Sequence, residues 1–99
     1  MIYGDIASDV SYYDIYPELL QLVQQTFSNV ESGVQGDAWI WIYEGEEKVA
    51  LDTFTSMRFQ IKSDNINGLL VQKVISKLGE HYKLYIYDQP ELEGHEDTF

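Results

Sequence analysis

The sequence contains no cysteine, which excludes disulfide bonds and thiolate metal ligands from its fold and chemistry. No apolar run approaches the roughly 20 residues that a membrane-spanning helix needs. Residues 1–5 show neither a basic stretch nor a long apolar one, so no secretory signal is predicted. We therefore expect a cytoplasmic protein that does not enter a membrane and uses no metal or other cofactor.

Positive charge is also scarce. Six Lys and Arg residues stand against 17 Asp and Glu residues, which gives a net charge of -11 over 99 residues. Binding to nucleic acid requires cations that replace the counterions of phosphates, so this balance argues against a nucleic-acid partner. The same charge would speed the encounter with a basic protein. An acidic coat that only keeps the chain in solution is the alternative interpretation.

The patterns that mark common enzymes are absent as well. The chain has no phosphate loop, dinucleotide fingerprint, nucleophile elbow or HExxH motif. Its two histidines are His81, which follows a predicted helix, and His95, which lies among carboxylates near the end. Solvated charge is a simpler interpretation of that second cluster than a metal site. We expect a binding protein rather than an enzyme.

The residues that are present suit one small globular domain over residues 1–99, since 44% are apolar and eight Tyr and two Trp provide large contact groups. Apolar periodicity predicts helices over residues 17–30 and 66–78. Alternating side chains predict strands over residues 38–43, 48–54, 57–62 and 82–87. Residues 1–14 are expected to be an irregular lead-in, within which a short strand or a helical turn stays open, and residues 91–99 an acidic mobile tail.

These elements predict an α+β fold in the order α-β-β-β-α-β, with a four-stranded, mostly antiparallel sheet and two helices on one face. The last strand should run parallel to the third, because a helix joins them. Side chains expected to face the helices are Ile40, Ile42, Val49, Leu51, Met57, Phe59, Ile61, Leu84 and Ile86. The opposite face would carry Trp39, Trp41, Tyr43, Ala50, Asp52, Arg58, Gln60, Lys62, Lys83, Tyr85 and Tyr87.

This second face is aromatic and mildly basic, and no predicted element obviously covers it. Stacking of its cations over the rings, cover by the lead-in or the tail, and a partner surface are all open interpretations. Acidic residues concentrate instead in the turn at residues 44–47 and near the ends of the chain. The candidate partner-binding residues are therefore Asp14, Glu18, Trp39, Trp41, Glu44, Glu46, Glu47, Tyr85 and Tyr87.

The segments at residues 38–43, 57–62 and 85–97, with the size and charge of the chain, resemble small bacterial immunity proteins of contact-dependent growth-inhibition systems. The resemblance implies an inhibitor that neutralises one cognate toxin, often a basic nuclease, by direct protein–protein binding. It assigns no individual functional residue. Two other interpretations stay open: a homodimer joined through the aromatic face, and an acidic mimic of nucleic acid.

Overall fold

The computed structural model describes residues 1–8, 10–65 and 68–91. Within these ranges the chain forms two helices and a six-stranded sheet. The elements are β1 (Ile2–Ile6), α1 (Tyr12–Thr26), β2 (Val30–Gln35), β3 (Asp37–Glu44), β4 (Glu47–Asp52), β5 (Gln60–Ser63), α2 (Leu69–Gly79) and β6 (Leu84–Glu91). The predicted α+β class is confirmed, whereas the predicted four strands and the order α-β-β-β-α-β are wrong.

Strand β1 changes the topology, because it lies inside the sheet. The spatial order is β2-β3-β4-β5-β1-β6, and every neighbouring pair is antiparallel. Strands β5 and β6 therefore run in the same direction, as predicted, but β1 separates them. Gly4 permits the close approach of β1 to β6, since a Cβ atom there would collide with the backbone oxygen of Tyr85. Within the lead-in expected over residues 1–14, the short strand that the sequence left open is therefore β1.

Helix α1 begins at Tyr12, ahead of the predicted start at Pro17. The hydroxyl of Ser11 caps it by accepting a hydrogen bond from the Tyr13 amide at 3.3 Å. Pro17 consequently lies inside the helix, where it cannot donate to the carbonyl four residues earlier. The helix ends at Thr26, and the chain enters β2 at Val30, where a helix end and a loop were predicted.

The core lies between the two helices and one face of the sheet, as predicted. It joins the α1 residues Ile15, Leu19 and Val23 and the α2 residues Leu70, Val71, Val74 and Leu78 to Ile40, Ile42, Val49, Leu51, Phe59 and Ile61 of the sheet side. Burial of this apolar surface is the main stabilising contribution to the fold. Two predicted core residues are instead exposed: Met57, because β5 begins only at Gln60, and Ile86, because β6 is an edge strand.

The ends of the strands also differ from prediction. The β3–β4 hairpin turns through Gly45, whose φ of 61° suits glycine, and Glu46. Arg58 precedes β5 and Lys83 precedes β6, so neither is a strand residue. Glu91 is the last residue of β6, so the predicted tail does not start there, and residues 92–99, with His95, lie outside the described residues. No helix in the described ranges is both long and apolar enough to cross a membrane.

Candidate functional site

The face of the sheet opposite the helices, which we call the outer face, gathers the aromatic candidates. Residues directly opposite each other in antiparallel strands point to the same side. The register therefore places on this face Trp39, Trp41 and Tyr43 of β3, Lys48, Ala50 and Asp52 of β4, Gln60 and Lys62 of β5, Asp5 of β1, and Tyr85 and Tyr87 of β6. In the described part of the chain, both helices pack on the other side.

The aromatic residues of β3 form a platform at one side of the outer face. The rings of Trp39 and Trp41 lie with their centroids 4.3 Å apart and are half-buried. Trp39 lies across β2, since a Cβ atom at Gly33 would come within 2.6 Å of its ring. The Lys48 ammonium stands 4.0 Å from the Trp41 ring centroid and 5.7 Å from that of Tyr43. This packing stabilises the sheet and leaves part of each ring accessible.

A buried ion pair occupies the centre of the outer face. The Lys62 ammonium donates to Asp52 Oδ1 at 2.6 Å, and the two side chains are only 6% and 4% exposed. The Phe54 amide donates to the same carboxylate oxygen at 3.3 Å. Low exposure strengthens the attraction between the charges but removes their hydration, so the pair chiefly fixes geometry.

The second aromatic group lies on β6, at the opposite side of the outer face. Tyr85 is 64% exposed, and its ring meets that of Tyr87 edge to face with centroids 5.9 Å apart. The Tyr87 hydroxyl donates to Asp5 Oδ2 at 3.4 Å. Burial, followed by the charge of Asp5, raises the pKa of Tyr87. Three strands separate this group from β3, which corresponds to about 19 Å across the sheet.

The outer face is not the basic surface expected from the sequence. Lys62 is matched by Asp52, and Arg58 lies 3.9 Å from Asp5. Lys83 lies ahead of β6 rather than on it. The face is therefore aromatic and close to neutral.

The candidate glutamates of the β3–β4 hairpin have different roles. Glu47 Oε1 accepts a hydrogen bond from the Leu70 amide at 3.2 Å, so this carboxylate caps the N-terminus of α2. The helix needs such a cap because Gly68 occupies the N-cap position and has no side chain. Glu44 Oε2 accepts from Lys73 at 2.7 Å on the helix side, whereas Glu46 is exposed at the turn.

The two candidate residues on α1 lie away from the outer face. Asp14 is exposed in the first turn. Glu18 Oε1 accepts a hydrogen bond from the Tyr82 hydroxyl at 3.2 Å, which ties α1 to the segment before β6. Burial and then Glu18 raise the pKa of Tyr82 to about 12. The structure therefore does not bring the nine predicted site residues into a single site.

Exposed carboxylates nevertheless collect at one end of the sheet, which we call the hairpin end. Here β3 meets β4, β5 and β6 finish, and β2 begins. The exposed acidic residues at this end are Glu31, Glu44, Glu46, Asp64 and Glu91. The N-terminal ammonium offsets part of this charge, since it lies 4.0 Å from Asp64. The hairpin end borders the outer face and lends it an acidic margin.

Sequence reasoning missed Asp5, Lys48 and Phe54 as parts of this surface. Phe54 lies beside the outer face, with the Lys62 ammonium 5.7 Å from its ring. Asp5 could have been found only by recognising β1. Lys48 begins the predicted second strand, and its alternation with Ala50 gives the signal that places it beside Trp41.

Possible metal ligands and grooves are the other features of the described residues that could mark a site. The described residues contain no group of His, Asp and Glu residues arranged to hold a metal ion. An open groove of about 590 Å³ lies between α1 and α2, lined by residues that include Phe27, Leu69 and Lys73. No protein-family model matches the chain, and comparisons with curated proteins and with solved structures found no match.

Proposed function

We propose that this chain is an inhibitory binding protein that neutralises a basic toxin domain by direct contact, in the manner of an immunity protein. It acts by occupying its partner and catalyses no reaction, and it works in the cytoplasm. The observation that supports this most is the pairing of accessible aromatic rings on the outer face with exposed carboxylates at the hairpin end. Aromatic anchors with a charged margin are typical of protein–protein interfaces.

The two parts of this surface make different contributions. The net charge of -11 attracts a basic partner over distance and raises the association rate. Once in contact, the rings of Trp39, Trp41 and Tyr85 lose water against the partner, and this burial slows dissociation. A toxin nuclease fits this chemistry because it must carry cations that bind phosphates.

The experiment uses the protein encoded beside this chain as the candidate partner. Co-expression should protect cells from that protein, and the purified proteins should form a complex whose association slows as salt is added. Tyr85→Ala should increase the dissociation rate at least about tenfold, as expected for an exposed aromatic anchor. Leu69→Ala is the matched control, because Leu69 is 70% exposed but lies on the helix side. Equal effects of the two substitutions would contradict the assignment of the outer face.

A second candidate is a homodimer, and one observation favours it. Strand β6 is an edge strand, and its residues Tyr85 and Ile86 are exposed and uncharged. Such an edge can pair with another strand. The charge of -11 on each copy opposes this association. Sedimentation at micromolar concentration distinguishes the two, since a strict monomer excludes the dimer.

A further inference from the structure

Asp5 lies on the outer face with one oxygen that has no hydrogen bond. Its neighbours across the strands are Gln60 on β5 and Tyr85 on β6. Oδ2 accepts from the Tyr87 hydroxyl at 3.4 Å, but Oδ1 is enclosed and accepts from no donor. The nearest cation is Arg58, whose Nη1 lies 3.9 Å from Oδ1, beyond hydrogen-bond distance.

A carboxylate in this position is under-satisfied. An ionised carboxylate can accept about four hydrogen bonds, and enclosure without them leaves its desolvation uncompensated. Gln60 does not compensate, since its Oε1 accepts from the Thr55 hydroxyl and its amide makes no hydrogen bond to Asp5 Oδ1. The Asp5 side chain as a whole is only 16% exposed. The fold thus holds the Asp5 carboxylate near its surface without using the full capacity of this group to accept hydrogen bonds.

The walls around this carboxylate are aromatic. Tyr85 and Tyr87 stand next to it on β6, with Tyr85 largely open to solvent. The faces of tyrosine rings attract cations, and a guanidinium can stack on a ring while it donates in its plane to a carboxylate. Arg58 approaches this carboxylate without a hydrogen bond, and the Arg58 side chain is 52% exposed.

We propose that Asp5, Tyr85 and Tyr87 form a receptor for an arginine side chain, and that Arg58 occupies it loosely until the partner's arginine replaces it. This rests on the proposed function, because it names the chemistry by which the basic partner is anchored. The incoming guanidinium donates to Asp5 Oδ1 and stacks on Tyr85. Arginine is favoured over lysine because a planar donor matches both the carboxylate and the ring.

The test needs no partner, because the ligand chemistry can be supplied by a small probe. The tyrosine ring resonances are followed by NMR while N-acetyl-arginine amide is added, and the neutral isostere N-acetyl-citrulline amide serves as the matched control. We expect saturable chemical-shift changes at the Tyr85 and Tyr87 rings with the arginine probe, and none with the citrulline control. Shifts of equal size with citrulline, or shifts that do not saturate, would overturn the receptor.

Single substitutions distinguish an arginine receptor from simple charge attraction between the probe and Asp5. Asp5→Asn should weaken binding of the arginine probe about tenfold or more, because a charge-assisted hydrogen bond is lost. Arg58→Gln should strengthen it, because the competing guanidinium is gone. Tyr85→Leu, at an exposed position, should weaken it without affecting folding. Asp88→Asn, an equal charge change on the same strand, should leave it unchanged.

Failure of the receptor and failure of the proposed function give different results. The receptor proposal is wrong if Arg58→Gln weakens binding of the arginine probe, or if Asp5→Asn and Asp88→Asn change that binding equally. Either result would count against the receptor even when the chain still neutralises its toxin. If the probe binds as expected but no toxin is neutralised, the receptor stands and the proposed function fails. Asp5→Asn should also leave the free protein at least as stable as the wild type, since it removes an under-satisfied charge.

Discussion

Glu47 provides the sharpest test of the structure, because the sequence suggested that it binds a partner whereas its contacts assign it to the fold. Glu47→Ala removes the acceptor for the Leu70 amide and the negative charge at the start of α2. Loss of an N-terminal cap costs about 1 kcal/mol. Loss of the favourable charge at the helix end adds about 0.3–1 kcal/mol. The variant should therefore lose about 1–2 kcal/mol of its free energy of unfolding.

Urea denaturation followed by circular dichroism measures this loss. Each kcal/mol should also lower the melting temperature by about 4–8 °C in a domain of this size. Glu46→Ala is the matched control, since Glu46 is the neighbouring carboxylate and is exposed at the turn. Its stability should stay within about 0.5 kcal/mol of the wild type. Glu47→Gln, which keeps an acceptor oxygen, should fall between the two. Equal stability of the two alanine variants would refute the capping role.

Three further predictions concern packing, burial and titration. Gly33→Ala brings a methyl group against the Trp39 ring, so it should cost about 1–3 kcal/mol and shift the tryptophan fluorescence; an unchanged spectrum would contradict this packing. Asp52→Ala removes the carboxylate that lies 2.6 Å from the buried Lys62 ammonium and should cost about 3–5 kcal/mol in urea denaturation, while adding Lys62→Met should restore much of the loss. The pKa of Tyr82 is raised from 10.0 to about 12, so its contribution to stability is complete below pH 10 and falls as the pH rises towards 12; Tyr82→Phe should abolish this fall in alkaline unfolding experiments.

The sequence predicted best the parts of the fold whose patterns are local. Alternation along residues 38–43 correctly separates Trp39 and Trp41 from the core residues Ile40 and Ile42. The apolar stripe of α2 is buried as expected. These signals arise because each side chain faces either the core or the outer face at a fixed period.

The parts that were missed depend on contacts between distant segments. Strand β1 contains Gly4 and Asp5, which are poor strand formers, and it is stable because it pairs with a strand on each side. Strand β2 contains Gly33, which is accommodated because the Trp39 ring covers it. The cap of α2 comes from Glu47, which lies 23 residues before Leu70, so no local pattern could indicate it.

In the candidate site too, local sequence patterns predict some features, whereas others depend on contacts between distant segments. The aromatic residues were correctly placed on one face, because their alternation is a local property. The roles of the acidic residues were not foreseeable, since Glu18, Glu44 and Glu47 each contact a group far along the chain. Asp5 was not assigned to the outer face because its setting is created by β5, β1 and β6 together. Their contributions to binding stay predictions.

The most direct test of the proposed function is to measure binding between the purified chain and the protein encoded beside it, over a range of salt concentrations. We predict a one-to-one complex that blocks the activity of that protein and associates more slowly as salt is added. Absence of a complex at low salt would contradict the account.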